Sequence, residues 1–206
     1  MQQARSRKTV LSLLAALGLG ALLSGCALPR MIDSDVASYS GTVAATTPAN
    51  YTFERLPSQT QSARQDAIEA MTGQALRKVG LALSDAGTAT PQYRVQASVQ
   101  ISQITNPYRG RPRSSVFWGM GDPGPAGASL VVVMEPPWYR HSVQLVLRES
   151  QTNLVAYETT AVFDGPWSDS LNLLPAVMDA ALRDFPRASG AVHKVVIELP
   201  VPTTQP

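Results

Sequence analysis

Tyr93-Arg-Val-Gln-Ala-Ser-Val-Gln-Ile-Ser102 is the stretch that decides the fold of this chain. Apolar and polar side chains alternate along its whole length. Because successive side chains of a β-strand point to opposite sides of a sheet, this pattern predicts a strand with one buried face and one hydrated face. Such strands are typical of an antiparallel sheet that is covered on one side only.

Further strands are predicted on both sides of this stretch. A short alternating segment at residues 51–56 ends at Pro57, and residues 36–43 fit an edge strand. Later in the chain we expect strands at residues 130–134, 139–148, 154–163 and 192–199. A turn at residues 150–153 would join two of these strands into a hairpin.

Two amphipathic helices are predicted to cover the dry side of the sheet. The first has Ser62 or Ser58 as its N-cap. The second begins at Asp169 or as late as Leu174, because the proline that follows is tolerated best in the first turn. The apolar stripes are Ile68, Met71, Ala75, Leu76 and Val79 in the first helix, and Leu171, Leu174, Met178, Ala181, Leu182 and Phe185 in the second.

These elements predict a single α+β domain at residues 51–200. The expected architecture is a two-layer sandwich, because each helix and the sheet have one apolar side to bury. In it, two amphipathic helices pack on one face of a mainly antiparallel sheet of about five strands.

The N-terminal segment has the pattern of a bacterial lipoprotein signal. Basic residues precede an apolar run at residues 10–23, which closes with Leu23-Ser24-Gly25-Cys26. As a helix the run would be about 21 Å long, too short for a bilayer core of roughly 30 Å. The closing residues resemble a lipobox, so we expect cleavage between Gly25 and Cys26 and attachment of fatty acyl chains to Cys26.

The signal sets the expected organisation and location of the chain. Residues 1–25 would be the cleaved signal peptide, residues 26–50 the lipidated cysteine with a tether, and residues 201–206 a tail. Several acyl chains anchor a protein to a membrane, whereas one chain binds only marginally. Ala27, in place of an aspartate, favours the outer membrane, with the domain on the periplasmic side.

Composition excludes some classes of function. Arg5, Arg7 and Lys8 are three of the 17 basic residues, so 14 remain after cleavage against 15 acidic ones. This balance gives no support for nucleic-acid binding. With one cysteine, and with His141 and His193 as the only histidines, neither a disulfide nor a metal or cofactor site is predicted.

No catalytic residue is predicted. Residues 119–124 match the dinucleotide pattern G-x-G-x-x-G, but the prolines at 123 and 125 would prevent a helix from starting there to hold a phosphate. Asp169 is interpreted as a helix cap, and Asp179 and Asp184 as a solvated helix face. The sequence leaves open a catalytic acid–base pair formed by residues that are far apart in the chain, so a hydrolase is kept as an alternative function.

Residues 105–129 are the segment whose composition points to binding. They exceed the usual length of a connection and mix guanidinium and aromatic groups with glycine and proline. Such side chains suit anionic headgroups, glycan phosphates or a protein partner. The alternative is a surface insertion whose aromatic side chains fold back on the sheet. The candidate binding residues are Tyr108, Arg109, Arg111, Arg113, Phe117 and Trp118.

Three groups of residues carry a resemblance to a known family. They are the lipobox, residues 52–57 before the first helix, and residues 174–178 with Asp184-Phe185-Pro186 and Gly190 before the last strand. The chain resembles the bacterial lipoproteins of the domain-of-unknown-function family numbered four-one-three-six, and departs from them at Arg187, where a glycine is expected. The resemblance implies an envelope lipoprotein with a compact α+β domain, and it implies no catalytic residue.

The leading functional prediction is a non-enzymatic, outer-membrane-anchored lipoprotein. Its periplasmic domain would bind an envelope protein, a lipid headgroup or a glycan, through residues 105–129 or through the hydrated face of the central strand. That face carries Arg94, Gln96, Ser98 and Gln100. The alternatives are an envelope hydrolase acting on glycan or lipid, and a structural or stress-related lipoprotein without a dedicated ligand.

Overall fold

The computed structural model describes residues 29–84, 90–107 and 137–199. Contacts between residues divide the chain into two compact units, and the unit Met31–Ile197 contains the core of the fold. Of the other unit, only Pro29, Arg30, Glu198 and Leu199 are described. No helix within the described residues is long and apolar enough to span a bilayer.

Seven strands and two α-helices form the described part of the chain. In chain order they are β1 (Arg30–Ser40), β2 (Ala49–Phe53), α1 (Ala63–Lys78), β3 (Leu81–Leu83), β4 (Tyr93–Ile104), β5 (Trp138–Glu149), β6 (Val155–Gly165), α2 (Ser170–Ala181) and β7 (His193–Leu199). The strands form one sheet in the order β3-β2-β4-β5-β6-β1-β7. A 3-10 turn at Pro57–Gln59 precedes α1.

The predicted fold class, a two-layer sandwich with a mainly antiparallel sheet of about five strands, is wrong. Within the described residues the sheet has seven strands and is mixed. β2 runs parallel to β3 and to β4, whereas β5 is antiparallel to β4 and β6, and β6 to β1. The parallel pair β2 and β3 is joined through α1, as parallel neighbours require. β3 has three residues, too few to show an alternating pattern.

β1 is an interior strand and not the edge strand predicted at residues 36–43. It begins at Arg30 and lies between β6 and β7, within the segment predicted to hold the lipidated cysteine and tether. Its buried face consists of Ile32, Ser34, Val36 and Ser38. Two of these four side chains are serines, so the apolar alternation that marks a strand is weak here.

The stretch with the strictest alternation forms a strand, as predicted. Tyr93, Val95 and Ala97 of β4 are buried, and the polar residues between them are partly exposed. β4 pairs along its whole length with β5, from Tyr93 opposite Glu149 to Ile104 opposite Trp138. The strand predicted at residues 130–134 lies outside the described residues.

The start of α1 is the predicted one at Ser62, whose hydroxyl accepts a hydrogen bond from the backbone N–H of Gln65 at 3.3 Å. The side-chain amide of Gln65 points to the sheet and donates to the carbonyl oxygen of Ala97 at 3.2 Å. It also donates to Glu69 Oε1 at 3.2 Å, and Arg55 binds both oxygens of that carboxylate at 2.7 Å. These bonds fix α1 over β4.

α2 begins at Ser170 with Asp169 at the N-cap position, as the earlier of the two predicted starts requires, and therefore contains Pro175. The side chain of Asp169 makes no capping hydrogen bond. The proline has no N–H to donate to Leu171 four residues before it. Leu171 is 73% exposed, so water can satisfy its carbonyl group. At the other end Thr159 Oγ1 donates to the carbonyl oxygen of Ala181 at 2.7 Å, which joins α2 to β6.

Candidate binding face

One side of the sheet is left uncovered by the described elements. α1 contacts β3 and β4, and α2 contacts β5, β6 and α1, all through the side that carries the buried residues. The alternate side chains of the central strands point away from both helices. We call these side chains the open face. Its members are Gln96, Ser98 and Gln100 of β4, Ser142, Gln144 and Val146 of β5, Glu158, Thr160 and Val162 of β6, and Asp35, Ala37 and Tyr39 of β1.

Strand register places the members of the open face in three rows. The middle row is Ser98, Gln144, Thr160 and Ala37. The flanking rows are Gln96, Val146, Glu158 and Tyr39 on one side, and Gln100, Ser142, Val162 and Asp35 on the other. At about 4.8 Å between neighbouring strands, the four strands give a surface about 14 Å wide.

Two basic side chains at the rim of the open face are paired with carboxylates. Arg140 donates two hydrogen bonds to Asp164, at 2.8 and 2.6 Å, and these bonds raise the pKa of Arg140. Lys194 Nζ lies 3.0 Å from Asp35 Oδ1 and 3.5 Å from Asp33 Oδ1. The hydrogen bond to Asp35 is the main cause that raises the pKa of Lys194. Arg140 and Lys194 are therefore held in local pairs, whereas Arg148, opposite Arg94 and one row beyond Gln96 and Val146, has no ion pair among the described residues.

The middle of the open face is almost free of ionisable groups. Between β4 and β6 its rows contain one carboxylate, that of Glu158, and Gln144 Nε2 donates to it at 3.0 Å. The other polar groups there are amides and hydroxyls. The surface therefore offers an array of neutral hydrogen-bond donors and acceptors.

The structure places all four predicted polar residues of β4 on the uncovered side of the sheet. Gln96, Ser98 and Gln100 belong to the open face. Arg94 lies one row beyond them, where it donates to Asn153 Oδ1 at 2.9 Å and is 3.7 Å from Glu54 Oε1. Ser142, Gln144 and Thr160 were not among the residues predicted from the sequence. Alternation along β5 and β6 predicts that these side chains point to the hydrated side of their strands. It does not predict that they lie beside β4.

The other predicted sites lie outside the described residues. These are the lipidation and cleavage residues Gly25 and Cys26, and the proposed binding residues Tyr108, Arg109, Arg111, Arg113, Phe117 and Trp118. They stay predictions from the sequence.

A polar cluster on the helix side joins the end of α2 to β1 and β7. Asp184 Oδ2 accepts a hydrogen bond from Ser38 Oγ at 2.8 Å, and Oδ1 lies 3.3 Å from His193 Nε2. Ser38 Oγ accepts a further bond from the backbone N–H of Ser189 at 2.9 Å. The carboxylate contacts the serine hydroxyl and the imidazole lies on the other carboxylate oxygen, whereas in a Ser-His-Asp triad the imidazole contacts the serine. The arrangement is suited to holding three chain segments together.

His141 is a buried titratable group on the same side of the sheet. It is 0% exposed, and neither ring nitrogen has a hydrogen-bond partner among the described residues. Phe163 lies beside the imidazole with ring centroids 6.0 Å apart, and Trp167 stacks on Phe163. Burial lowers the pKa of His141, and the charge of Asp164 opposes this in part. Burial in the folded protein therefore favours the neutral form of this imidazole.

We expect the free energy of unfolding to fall as the pH drops below about 6.5, because the unfolded chain then binds a proton that native His141 does not. One such group changes the free energy of unfolding by at most about 1.4 kcal/mol per pH unit. Urea unfolding at about pH 7.5 and about pH 5.5 measures this change in the free energy of unfolding. The loss should shrink in His141→Leu and persist in the control His193→Gln. An equal loss in His141→Leu and the unsubstituted protein would contradict the assignment to His141.

Comparisons with known proteins give weak structural similarities and no family. No protein-family model matches the chain, and no curated protein matches it. The chain is similar to the PelC dodecamer from Paraburkholderia phytofirmans, with 12% identity and a TM-score of 0.44 over 75% of this chain and 98% of that one. It is also similar to a PDZ domain protein from Parabacteroides distasonis, with 11% identity and a TM-score of 0.47. That match covers 82% of this chain and 38% of the other.

Proposed function

We propose that this chain is a lipid-anchored protein of the outer membrane whose periplasmic domain is a non-enzymatic binding module, and that the open face is its binding surface. The observation that carries the proposal is the open face itself, a polar surface four strands wide that the described helices leave uncovered. The exposed amides and hydroxyls of this surface are groups that can donate and accept hydrogen bonds with a partner.

The anchor in this proposal rests on the sequence. The basic start, the short apolar run and the lipobox ending in Cys26 together support lipidation. The resemblance to the lipoprotein family of unknown function points to the same compartment. A tethered module searches a restricted volume, so even a weak binding face can be occupied when its partner lies within reach of the membrane.

A photoreactive amino acid at position 100 tests the binding surface in intact cells. Gln100 is an exposed member of the open face, and Gln74 is an equally exposed glutamine on α1, which makes position 74 the matched control. We expect a crosslinked envelope component at position 100 that is missing at position 74. Mass spectrometry of the adduct identifies it, and the same spectra report whether Cys26 carries acyl chains.

Two results would count against the proposal. One is the absence of any adduct at position 100 while both variants are produced, folded and exported. The other is the same set of adducts at positions 100 and 74, which would mean that the open face contacts its surroundings no more specifically than the surface of α1 does.

A further inference from the structure

β7 is an edge strand, and within the described residues β1 is its only neighbour in the sheet. It contains seven residues, His193–Leu199, none of which is proline or glycine. An edge strand exposes unpaired backbone N–H and C=O groups, and proteins commonly protect such edges by shortening them or by placing proline in them. The opposite edge is protected in this way, since β3 has only three residues. The outer side of β7 is therefore able to accept a further strand.

The side chains of β7 alternate between the two sides of the sheet. Val195 is buried on the side that carries the helices, and Ile197 shares that side. Lys194, Val196 and Glu198 are exposed on the other side. Val196, at the middle of the strand, is 52% exposed, and a further strand beside it would remove apolar surface from water.

The sequence of β7 is self-complementary about Val196. In an antiparallel pair of two copies with the Val196 residues opposite each other, Lys194 of each copy stands opposite Glu198 of the other. Val195 then stands opposite Ile197 on the helix side. Opposite charges and pairs of β-branched residues are favourable at directly facing positions, whereas a parallel pair in register would set lysine against lysine. A two-fold axis at Val196 generates all of these contacts.

Glu198 is available for a contact with another molecule. It is exposed and makes no ion pair or side-chain hydrogen bond within the described residues. Arg30 and His193 are basic residues of β1 and β7, but alternation places them on the helix side, away from Glu198. A lysine of a second copy would therefore be the first cationic partner of this carboxylate among the described residues.

Lys194 keeps a hydrogen-bond donor for the same contact. Its Nζ atom lies 3.0 Å from Asp35 Oδ1 and 3.5 Å from Asp33 Oδ1. An ammonium group has three N–H donors, so the third can bind Glu198 of a second copy without loss of the two contacts within the chain.

From these observations we infer that the chain pairs with a second copy of itself through the outer edge of β7. The two sheets then become continuous across a two-fold axis at Val196. The inference is independent of the proposed function, because the open face lies on β4, β5, β6 and β1, and the pairing uses the backbone edge of β7.

Disulfide formation in the purified full-length protein, under mild oxidation in detergent micelles, tests the pairing. Val196→Cys places both thiols at the two-fold axis, where facing Cα atoms are about 4.5 to 5.5 Å apart, within the reach of a disulfide. Val192→Cys is the matched control, since Val192 is 67% exposed but lies away from the axis. The two copies of residue 192 would be about eight residue steps apart, roughly 26 Å, which is beyond that reach. Non-reducing electrophoresis separates the covalent dimer from the monomer.

We expect Val196→Cys to give about fivefold more covalent dimer, or a larger excess, than Val192→Cys or the unsubstituted protein. Adding Glu198→Lys to Val196→Cys should lower the yield about fivefold, because two lysines then face each other across the pair. Adding Glu198→Asp keeps the charge and should preserve the dimer. Thermal unfolding shows that each variant is folded.

Three outcomes overturn the inference. The first is the same yield of covalent dimer from Val196→Cys, Val192→Cys and the unsubstituted protein, and the second is no covalent dimer from any of them. The third is a yield that a folded Glu198→Lys variant leaves unchanged, because the self-complementary register requires that charge.

Discussion

Replacing Leu145 by alanine should lower the free energy of unfolding by about 3 kcal/mol, because the side chain is fully buried and its loss leaves a cavity. Leu145 is at the centre of β5, with Ala97 of β4 on one side and Thr159 of β6 on the other. It points to the side on which α2 packs. Chemical denaturation with urea, monitored by circular dichroism, gives the difference.

The next residue along the same strand is the control. Val146 belongs to the open face and is only partly buried, so Val146→Ala should cost less than about 1 kcal/mol. Similar losses in the two variants would mean that the open face is packed against something, and would contradict both the fold description and the proposed function that depends on it.

A second large effect is expected at Gly41, directly after β1. The N–H of Gly41 donates to the carbonyl oxygen of Ala156 at 3.0 Å, so the backbone of residue 41 lies against β6. A Cβ atom at this position would overlap the carbonyl oxygen of Val155, which belongs to the backbone and cannot rotate away. Gly41→Ala should therefore destabilise the protein by about 3 kcal/mol, the upper part of the range for overpacking.

Thr42→Ala is the matched control for Gly41→Ala. Thr42 is exposed and adjacent in sequence, and its substitution should change the free energy of unfolding by less than about 0.5 kcal/mol. Thermal unfolding of both variants measures the contrast. If Gly41→Ala unfolds at the same temperature as Thr42→Ala, the end of β1 does not approach β6 as closely as the structure has it.

Part of the candidate site follows from the sequence alone. Gln96, Ser98 and Gln100 share one side of a strand because of the period of two, and this needs no knowledge of the neighbouring strands. Arg94 follows the same period, yet its guanidinium bonds to Asn153, which is 59 residues later in the chain. The hydrogen-bond partner of a side chain depends on which chain segments meet in the fold. Alternation within one strand predicts that a side chain is exposed, but it does not predict its partner.

The extent of the site does not follow from the sequence. Gln144 and Thr160 stand opposite Ser98 only because β5 lies between β4 and β6 with that register. Glu158 looks in the sequence like an isolated surface carboxylate, but the register brings it next to Gln144. Local periodicity predicts which side of a strand is hydrated. The arrangement of exposed groups across several strands is defined only once the strands are paired.

The sequence by itself determined the elements whose signals are local. The alternation at Tyr93 and beyond predicts β4, and Ser62 predicts the start of α1, because side-chain periodicity and capping act within a few residues. The lipoprotein signal is likewise a local pattern around Cys26, and it stays a prediction from the sequence.

Only the tertiary structure decided the architecture of the sheet. It placed β1 between β6 and β7, and set β2 parallel to β3 and β4. It thereby gave the sheet seven strands within the described residues, instead of the predicted total of about five. The physical reason is that backbone hydrogen bonds between strands are the same for every side chain. Which strands pair is settled by how the buried faces of distant segments pack together.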